Sequence, residues 1–359
     1  MWLRNCWYVI AWDREIPAVS DDRIFTRTVL NEPIVVYRKA DGGLVAMEDR
    51  CCHRHAPLSK GRKEGDCIRC GYHGLKFDAA GVCVEAPGIA NVPAKARVRT
   101  YPVVEKNRWI FVWMGDEARA HLSLLPDNFS CDHPEWRYRP GYMRYDTPWL
   151  LIADNLLDFS HLSYVHEKTL GGSTKIAQAA AAIEELGGPG PKGLRITRRV
   201  PDVPPSSLHK MVRTFNGNVD RWFVYDFVLP GTLLMHSGGR PCEDAPDDMS
   251  RAVQLHSCQT LTPETDGSTH YFFQNSHRAG DGDETTTESI YQGLIDAFEE
   301  DKEVISAQYE TIKRDPNRPM LPLAIDAGLA RFRRLVEREV VAERAAHDAT
   351  APDPSRQLA

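Results

Sequence analysis

The chain has 359 residues, 42% of them apolar, and a formal net charge of −6, which fits a globular protein of about two domains. That balance argues against a dedicated nucleic-acid binder, which carries a basic patch, and no stretch approaches the roughly 20 apolar residues of a membrane span. The start, Met1-Trp2-Leu3-Arg4-Asn5-Cys6-Trp7, lacks the apolar core of a signal peptide, and nine cysteines, odd in number and unevenly spaced, do not suggest a disulfide framework, so a cytoplasmic protein with reduced or metal-bound thiols is expected.

From Trp7 to about Met114 the text reads as short strands and turns. Ile34-Val35-Val36-Tyr37, a turn at Asp41-Gly42-Gly43 and then Leu44-Val45-Ala46-Met47 have the grammar of a hairpin. Leu75-Lys76-Phe77 and Val82-Cys83-Val84 flank Asp78-Ala79-Ala80-Gly81 in the same way. Trp109-Ile110-Phe111-Val112-Trp113-Met114 is a continuous apolar run, expected as a strand buried on both faces.

Between these strands lie Cys51-Cys52-His53-Arg54-His55 and Cys70-Gly71-Tyr72-His73. Read as C-x-H, sixteen residues, then C-x-x-H, two loops supply two thiolates and two imidazoles. Such a set holds zinc or a mixed-ligand iron–sulfur cluster. Zinc fingers usually pair like with like, whereas a Rieske [2Fe–2S] centre puts two cysteines on one iron and two histidines on the other. One cysteine and one histidine per loop favour the cluster, because each loop then serves both irons.

Composition shifts through Leu125-Pro126-Asp127 to His133-Pro134-Glu135, and a domain boundary is placed near residue 130. The second part opens with a strand around Met143–Tyr145 and a helix from Leu150 to about His166. Lys175 to Gly193 reads as a loop, although Gly188 to Gly193 is a literal G-x-G-x-x-G. Two prolines interrupt that match, and no strand runs into it as a dinucleotide fold requires. Strands are expected near Leu194–Val200, Arg221–Val228, Thr232–His236, Ala252–Leu261 and Thr269–Asn275. Long helices follow from about Thr287 to Lys313 and Ile325 to Ala346, and the polar tail 346–359 reads as disordered. Strands followed by long helices indicate an α+β fold.

Within the first of these helices, Asp154, Asp158 and His161 are spaced to share one face. His161 and His166 lie about 140° apart on a straight helix. They meet only if the helix ends or bulges there, and such bulges are common at functional sites. Downstream, Asp296, Glu299, Glu300 and Asp301 read more naturally as a solvated helix face, and spacing cannot choose among them.

The stretch Arg54, Ala56-Pro57-Leu58-Ser59 and Tyr72-His73-Gly74 closely resembles the Rieske-type oxygenases, in particular their vanillate O-demethylase and toluenesulfonate methyl-monooxygenase branch. The resemblance runs from Trp7 to about Glu343 and includes Arg4-Asn5-Cys6-Trp7-Tyr8-Val9 and Leu261-Thr262-Pro263-Glu264-Thr265. Cys52 stands where the family usually has proline, and it creates a competing C-x-x-H with His55. Cys51 and His53 are taken with Cys70 and His73 as the [2Fe–2S] ligands, because only they give C-x-H. Cys52, His55 and Cys67 are then bystanders.

The pattern D-N-x-x-D-x-[ST]-H-x₄-H over Asp154–His166 resembles the same family's mononuclear-iron motif. The resemblance implies a ferrous site of His161, His166 and Asp301, the last chosen because Phe298-Glu299-Glu300-Asp301-Lys302 matches the family's segment. It implies that Asp158 bridges this site to His73 of a neighbouring subunit in a head-to-tail homotrimer, with Asn155 in support. It implies an all-β Rieske domain over 1–130 and a helix-grip-like catalytic domain over 131–345. The implied activity is that of a terminal oxygenase which uses O₂ to hydroxylate an aromatic methyl or methoxy group. No flavin or nicotinamide fingerprint is present, so NAD(P)H is expected to act through a separate flavin and iron–sulfur reductase. Ring cis-dihydroxylation is the alternative reaction. An electron carrier would leave about 230 residues without a role, and a zinc-stabilised binding module fits the C-x-H spacing poorly. Leu294, Ala297 and Phe298, near Asp301, and Gln259 and His256, on a late strand, are the candidate pocket residues.

Overall fold

In the computed structural model, residues 1–166, 169–170 and 173–350 are described. The N-terminal part is three small antiparallel sheets. Trp109–Trp113 lies between Trp7–Trp12 and Val103–Lys106. A second sheet runs Phe25–Val29, Glu32–Arg38, Leu44–Glu48 and Thr100–Tyr101, and a third runs Arg62–Glu64, Cys67–Arg69, Lys76–Phe77 and Cys83–Glu85. Both hairpins form where the turn residues place them. Gly42 and Gly81 take φ of +84° and +72°, a backbone state in which glycine pays no steric penalty.

The C-terminal part is an eight-stranded antiparallel sheet. Its order is Trp136–Arg137, Ser268–Arg278, Val253–Thr265, Thr232–Pro241, Val219–Val228, Gly193–Val203 and Ala182–Leu186, with Gly141–Tyr145 also paired to Ser268–Arg278. On one face, Phe227, Leu255, Tyr271 and Phe273 share a core with Leu294, Phe298 and Ile305 of helix Glu284–Arg314 and Phe332 and Leu335 of helix Ala327–Thr350. On the other, Cys258 and Phe272 pack with Trp7, Trp12, Trp109 and Trp113 of the N-terminal sheet. Covered on both sides, Ser268–Arg278 is buried at every position but the last. Polar bonds also cross between the two parts. Trp12 Nε1 donates to the Gly141 carbonyl at 3.0 Å, Thr262 Oγ1 to the Val9 carbonyl at 2.6 Å, and Leu30 N to the Pro263 carbonyl at 2.9 Å.

Three expectations need correction. The helix expected to reach His166 is Trp149–Leu157. Asp158 is extended, and its carboxylate accepts the Ser160 amide at 2.7 Å, a local bond that competes with continued helix. Asp154, Asp158 and His161 therefore do not share a helical face, and Asp154 pairs with Arg333 instead. The expected loop at 175–193 contains a helix, Thr174–Gln178, and a strand, Ala182–Leu186. The G-x-G-x-x-G is the hairpin turn that follows that strand, with Gly188 at φ +100°. Helix Ala327–Thr350 also runs past the expected start of the tail; residues 351–359 lie outside those described. No helix among the described residues is long and apolar enough to cross a membrane.

Candidate functional site

Two centres emerge, one in each part. Around the first, the two loops are built alike. The Cys51 amide bonds the Ala56 carbonyl and the Cys70 amide the Leu75 carbonyl, while the His55 and Gly74 amides return to the Cys51 and Cys70 carbonyls. The fifth residue of each loop, His55 or Gly74, takes positive φ, +57° and +73°. Close approach holds the loops together, since a side chain at Gly71 would come 2.5 Å from the Lys60 carbonyl oxygen. Cys51 and Cys70 are each 2% exposed, and the His53 and His73 rings lie 4.6 Å apart nearer the surface. Burial pushes the Cys51 thiol pKa up to about 11, and the neighbouring Cys70 adds to the shift, so the Cys51 thiol favours the thiolate only with a cation beside it. The four residues fit a Rieske-type cluster, in which the buried Cys51 and Cys70 would hold one iron and His53 and His73 the other.

At the second centre, the end of the helix at Leu157 sets the geometry. The short turn His161–Ser163 brings His161 back toward His166, so that their rings stand 5.2 Å apart. Asp301 Oδ1 lies 3.1 Å from His166 Nε2 and 3.6 Å from His161 Nε2. One ligand atom from each of the three falls within 4.8 Å of the others. Asn155 Nδ2 donates to the same Asp301 oxygen at 2.9 Å. Asp296 hydrogen-bonds Gln292 and Glu299 pairs with Lys302, both outside the trio. Two imidazoles and one carboxylate on one side of a point, in a buried setting, fit a ferrous ion with open positions. The two histidines differ. Burial lowers the His161 pKa more than Asp301 raises it, whereas for His166 the bonds to Asp301 and Glu300 outweigh burial and raise it.

Both parts of the chain match known families. Residues 6–102 match the Rieske [2Fe-2S] domain, and residues 145–342 match the vanillate O-demethylase oxygenase C-terminal domain. The chain belongs to the Rieske oxygenases of the vanillate O-demethylase type. It is 47% identical to the iron-sulfur subunit of the toluene-4-sulfonate monooxygenase system of Comamonas testosteroni, over 98% of this chain and 100% of that protein. It is 34% identical to the dicamba O-demethylase oxygenase component of Stenotrophomonas maltophilia, over 94% and 97%. Among solved structures, dicamba monooxygenase bound to 3,6-dichlorosalicylic acid superposes with a TM-score of 0.85 at 31% identity, covering 96% of this chain and 100% of that one. As a Rieske oxygenase the chain is a monooxygenase component with an α+β fold.

In this oxygenase a cavity opens beside the trio. Leu156, Phe159, Leu162, Leu233 and Phe298 give it apolar walls, and Ser257, Gln259 and Asn275 give it a polar strip. Strand alternation decides which late-strand residue enters. Gln259 lines the cavity, while His256 faces the other side, stacked on His236 at 4.8 Å and edge-on to Trp136. Leu294 and Phe298 line it as expected; Ala297 is buried outside it. Sequence reasoning missed Arg221 and His209. Arg221 sits in the row Arg221, Phe223, Tyr225, Phe227 that faces inward, with its guanidinium carbon 5.0 Å from the Phe223 ring. An arginine in an otherwise apolar inward row was the available signal. Burial lowers its pKa to about 10, which still leaves it charged at neutral pH. His209 packs beside Gly239, where a side chain would come 2.7 Å from its Nδ1; burial and then the Arg221 charge push its pKa down to about 3.

Proposed function

We propose that this oxygenase hydroxylates the methyl group of a small anionic arene, with methylbenzenesulfonates as first candidates and methoxybenzoates, whose hydroxylated product collapses to a phenol and formaldehyde, as second. The convergence of His161, His166 and Asp301 at the end of a cavity that also carries Arg221 is the observation that carries this reading. The 47% identity to the toluene-4-sulfonate system supports it. Overall, R–CH₃, O₂, two electrons and two protons give R–CH₂OH and water. We place a Rieske domain over 1–130 and a catalytic domain over 131–345.

Cys51, His53, Cys70 and His73 would hold a [2Fe–2S] cluster, and His161, His166 and Asp301 a ferrous ion. When bound, the cluster would supply single electrons and the ferrous ion open positions for O₂. Arg221 draws the anionic end of the substrate to its wall of the cavity. The apolar walls hold the ring and keep bulk water from the reacting carbon. Asn155 fixes Asp301 by its 2.9 Å bond. Asp158, with Oδ2 4.0 Å from His161 Nδ1, supports that histidine and accepts a hydrogen bond from His73 of a neighbouring subunit in a homotrimer. A separate flavin and iron–sulfur reductase brings the electrons from NAD(P)H.

The test is iron and sulfide per chain on anaerobically purified protein, with EPR before and after dithionite, followed by turnover with a supplied reductase. The expected result is three irons and two sulfides with a Rieske signal on reduction, and a benzylic alcohol or formaldehyde as product. Zinc without sulfide, or both atoms of O₂ in a ring diol, overturns the reading.

A further inference from the structure

His166 is gripped on both edges by consecutive residues of one helix. Its Nε2 faces Asp301 Oδ1 at 3.1 Å, and its Nδ1 lies 2.9 Å from Glu300 Oε2. The ring is 1% exposed, so no water competes for either edge. Thr169 Oγ1 donates to the same Glu300 oxygen at 2.7 Å, which holds the carboxylate in place from a second segment. Consecutive helical side chains diverge by about 100°, and that divergence lets Asp301 and Glu300 reach opposite sides of one imidazole. His161 has no hydrogen-bonded carboxylate on its outer edge among the described residues: its Nδ1 is buried without a hydrogen-bond partner, with Asp158 Oδ2 4.0 Å away.

We propose that Glu300 is a positioning residue of the mononuclear centre, accepting the Nδ1 proton of His166 so that Nε2 presents its lone pair to the metal. The inference rests on the reading of His161, His166 and Asp301 as an iron site. A carboxylate only accepts, so a neutral imidazole beside it carries its one proton on Nδ1. Carboxylate partners of this kind fix the tautomer and ring plane of a ligand histidine and raise its basicity. Glu300 also adds a negative charge near a divalent ion without occupying one of its positions. The cluster of acids that looked like a solvated face on the helix thus divides by function: Asp301 faces the metal and Glu300 holds the histidine that shares it.

The test compares full-length wild type with Glu300→Ala, Glu300→Gln and Thr169→Val, loaded anaerobically with ferrous iron. Iron retention is read by competition with a ferrous chelator, and the site's symmetry by EPR of the nitric oxide-treated ferrous protein. The reduced Rieske signal reports that each variant is folded. Glu300→Ala is expected to weaken iron retention by about 10- to 100-fold and to change the nitric oxide signal. Glu300→Gln, which keeps an acceptor but loses the charge, is expected to weaken it by about tenfold. Thr169→Val, whose own contact stops at Glu300, is expected to cost less than either. Retention by Glu300→Ala within about twofold of wild type, with the same nitric oxide signal, overturns the inference. Where the alanine variant does not fold, the same result in Glu300→Gln overturns it. Wild type that binds no third iron instead overturns the proposed function, before any variant is read.

Discussion

Arg221→Met puts the substrate reading at risk. The replacement keeps an unbranched stem against Phe223, whose ring lies 5.0 Å from the guanidinium, and removes the charge that persists up to a pKa of about 10. A hydrogen bond to a charged group is worth about 1.5–3 kcal/mol, against about 0.5–1.5 for a neutral pair. The excess for an anion over a matched neutral group is therefore about 1.5 kcal/mol, or roughly tenfold. The pair to compare is 4-methylbenzenesulfonate and 4-methylphenyl methyl sulfone, which share the ring, the methyl target and a tetrahedral sulfur. With reductase, NADH and O₂ supplied, the benzylic alcohols are quantified by chromatography. Arg221→Met should lower kcat/KM for the sulfonate about tenfold more than for the sulfone. An equal fall for both would mean that Arg221 acts through the fold. An unchanged sulfonate rate would place the anion elsewhere. Either result refutes the reasoning.

Three further outcomes are expected. Asp158→Asn should keep three irons and the cluster signal yet lose about 10- to 100-fold in turnover, visible as a reduced cluster that fails to reoxidise when mixed with substrate and O₂. Cys52→Ser should retain iron, sulfide and EPR signal while Cys51→Ser loses the cluster; the reverse would reassign the first loop. His209 makes stability acid-sensitive. Its folded-state pKa of about 3 lies below the ordinary 6.5, so the unfolded chain binds the proton that the folded chain refuses. Its contribution is complete above pH 6.5 and is lost as pH falls toward 3, at about 1.4 kcal/mol per pH unit. Urea unfolding from pH 7 to pH 5 should show a shallower pH dependence for His209→Asn than for wild type, and parallel curves would disprove it.

Much of this was legible from spacing because metal sites constrain it tightly. Cys51, His53, Cys70 and His73 sit on loops between recognisable hairpins, and the strands around them follow their turn residues. The late strands and both long helices were also readable, since their apolar patterns persist over many residues. The helix end at Leu157 was not. No Pro or Gly follows Leu157 before His166 to stop the helix, and the decision falls to a single bond from the Ser160 amide to Asp158. The choice of Asp301 among four acids needed family resemblance. The grip of Glu300 on His166 depends on where a separate segment meets the helix, which periodicity does not record. His256 and Gln259 show the opposite case: counting by twos from Leu255, which is buried in the core, assigns them to opposite faces of the sheet.

The tryptophan-rich contact between the N-terminal sheet and the outer face of the large sheet sets a limit on exchange. Trp7, Trp12, Trp109 and Trp113 share their packing with Cys258 and Phe272, and Glu343 of the last helix accepts the Arg4 and Asn5 amides. A hybrid that joins this chain's first half to a relative's second half therefore inherits two halves of different cores. Such hybrids will need the cut surfaces matched residue by residue, and new substrate ranges in this lineage are better sought by altering cavity walls than by trading whole halves.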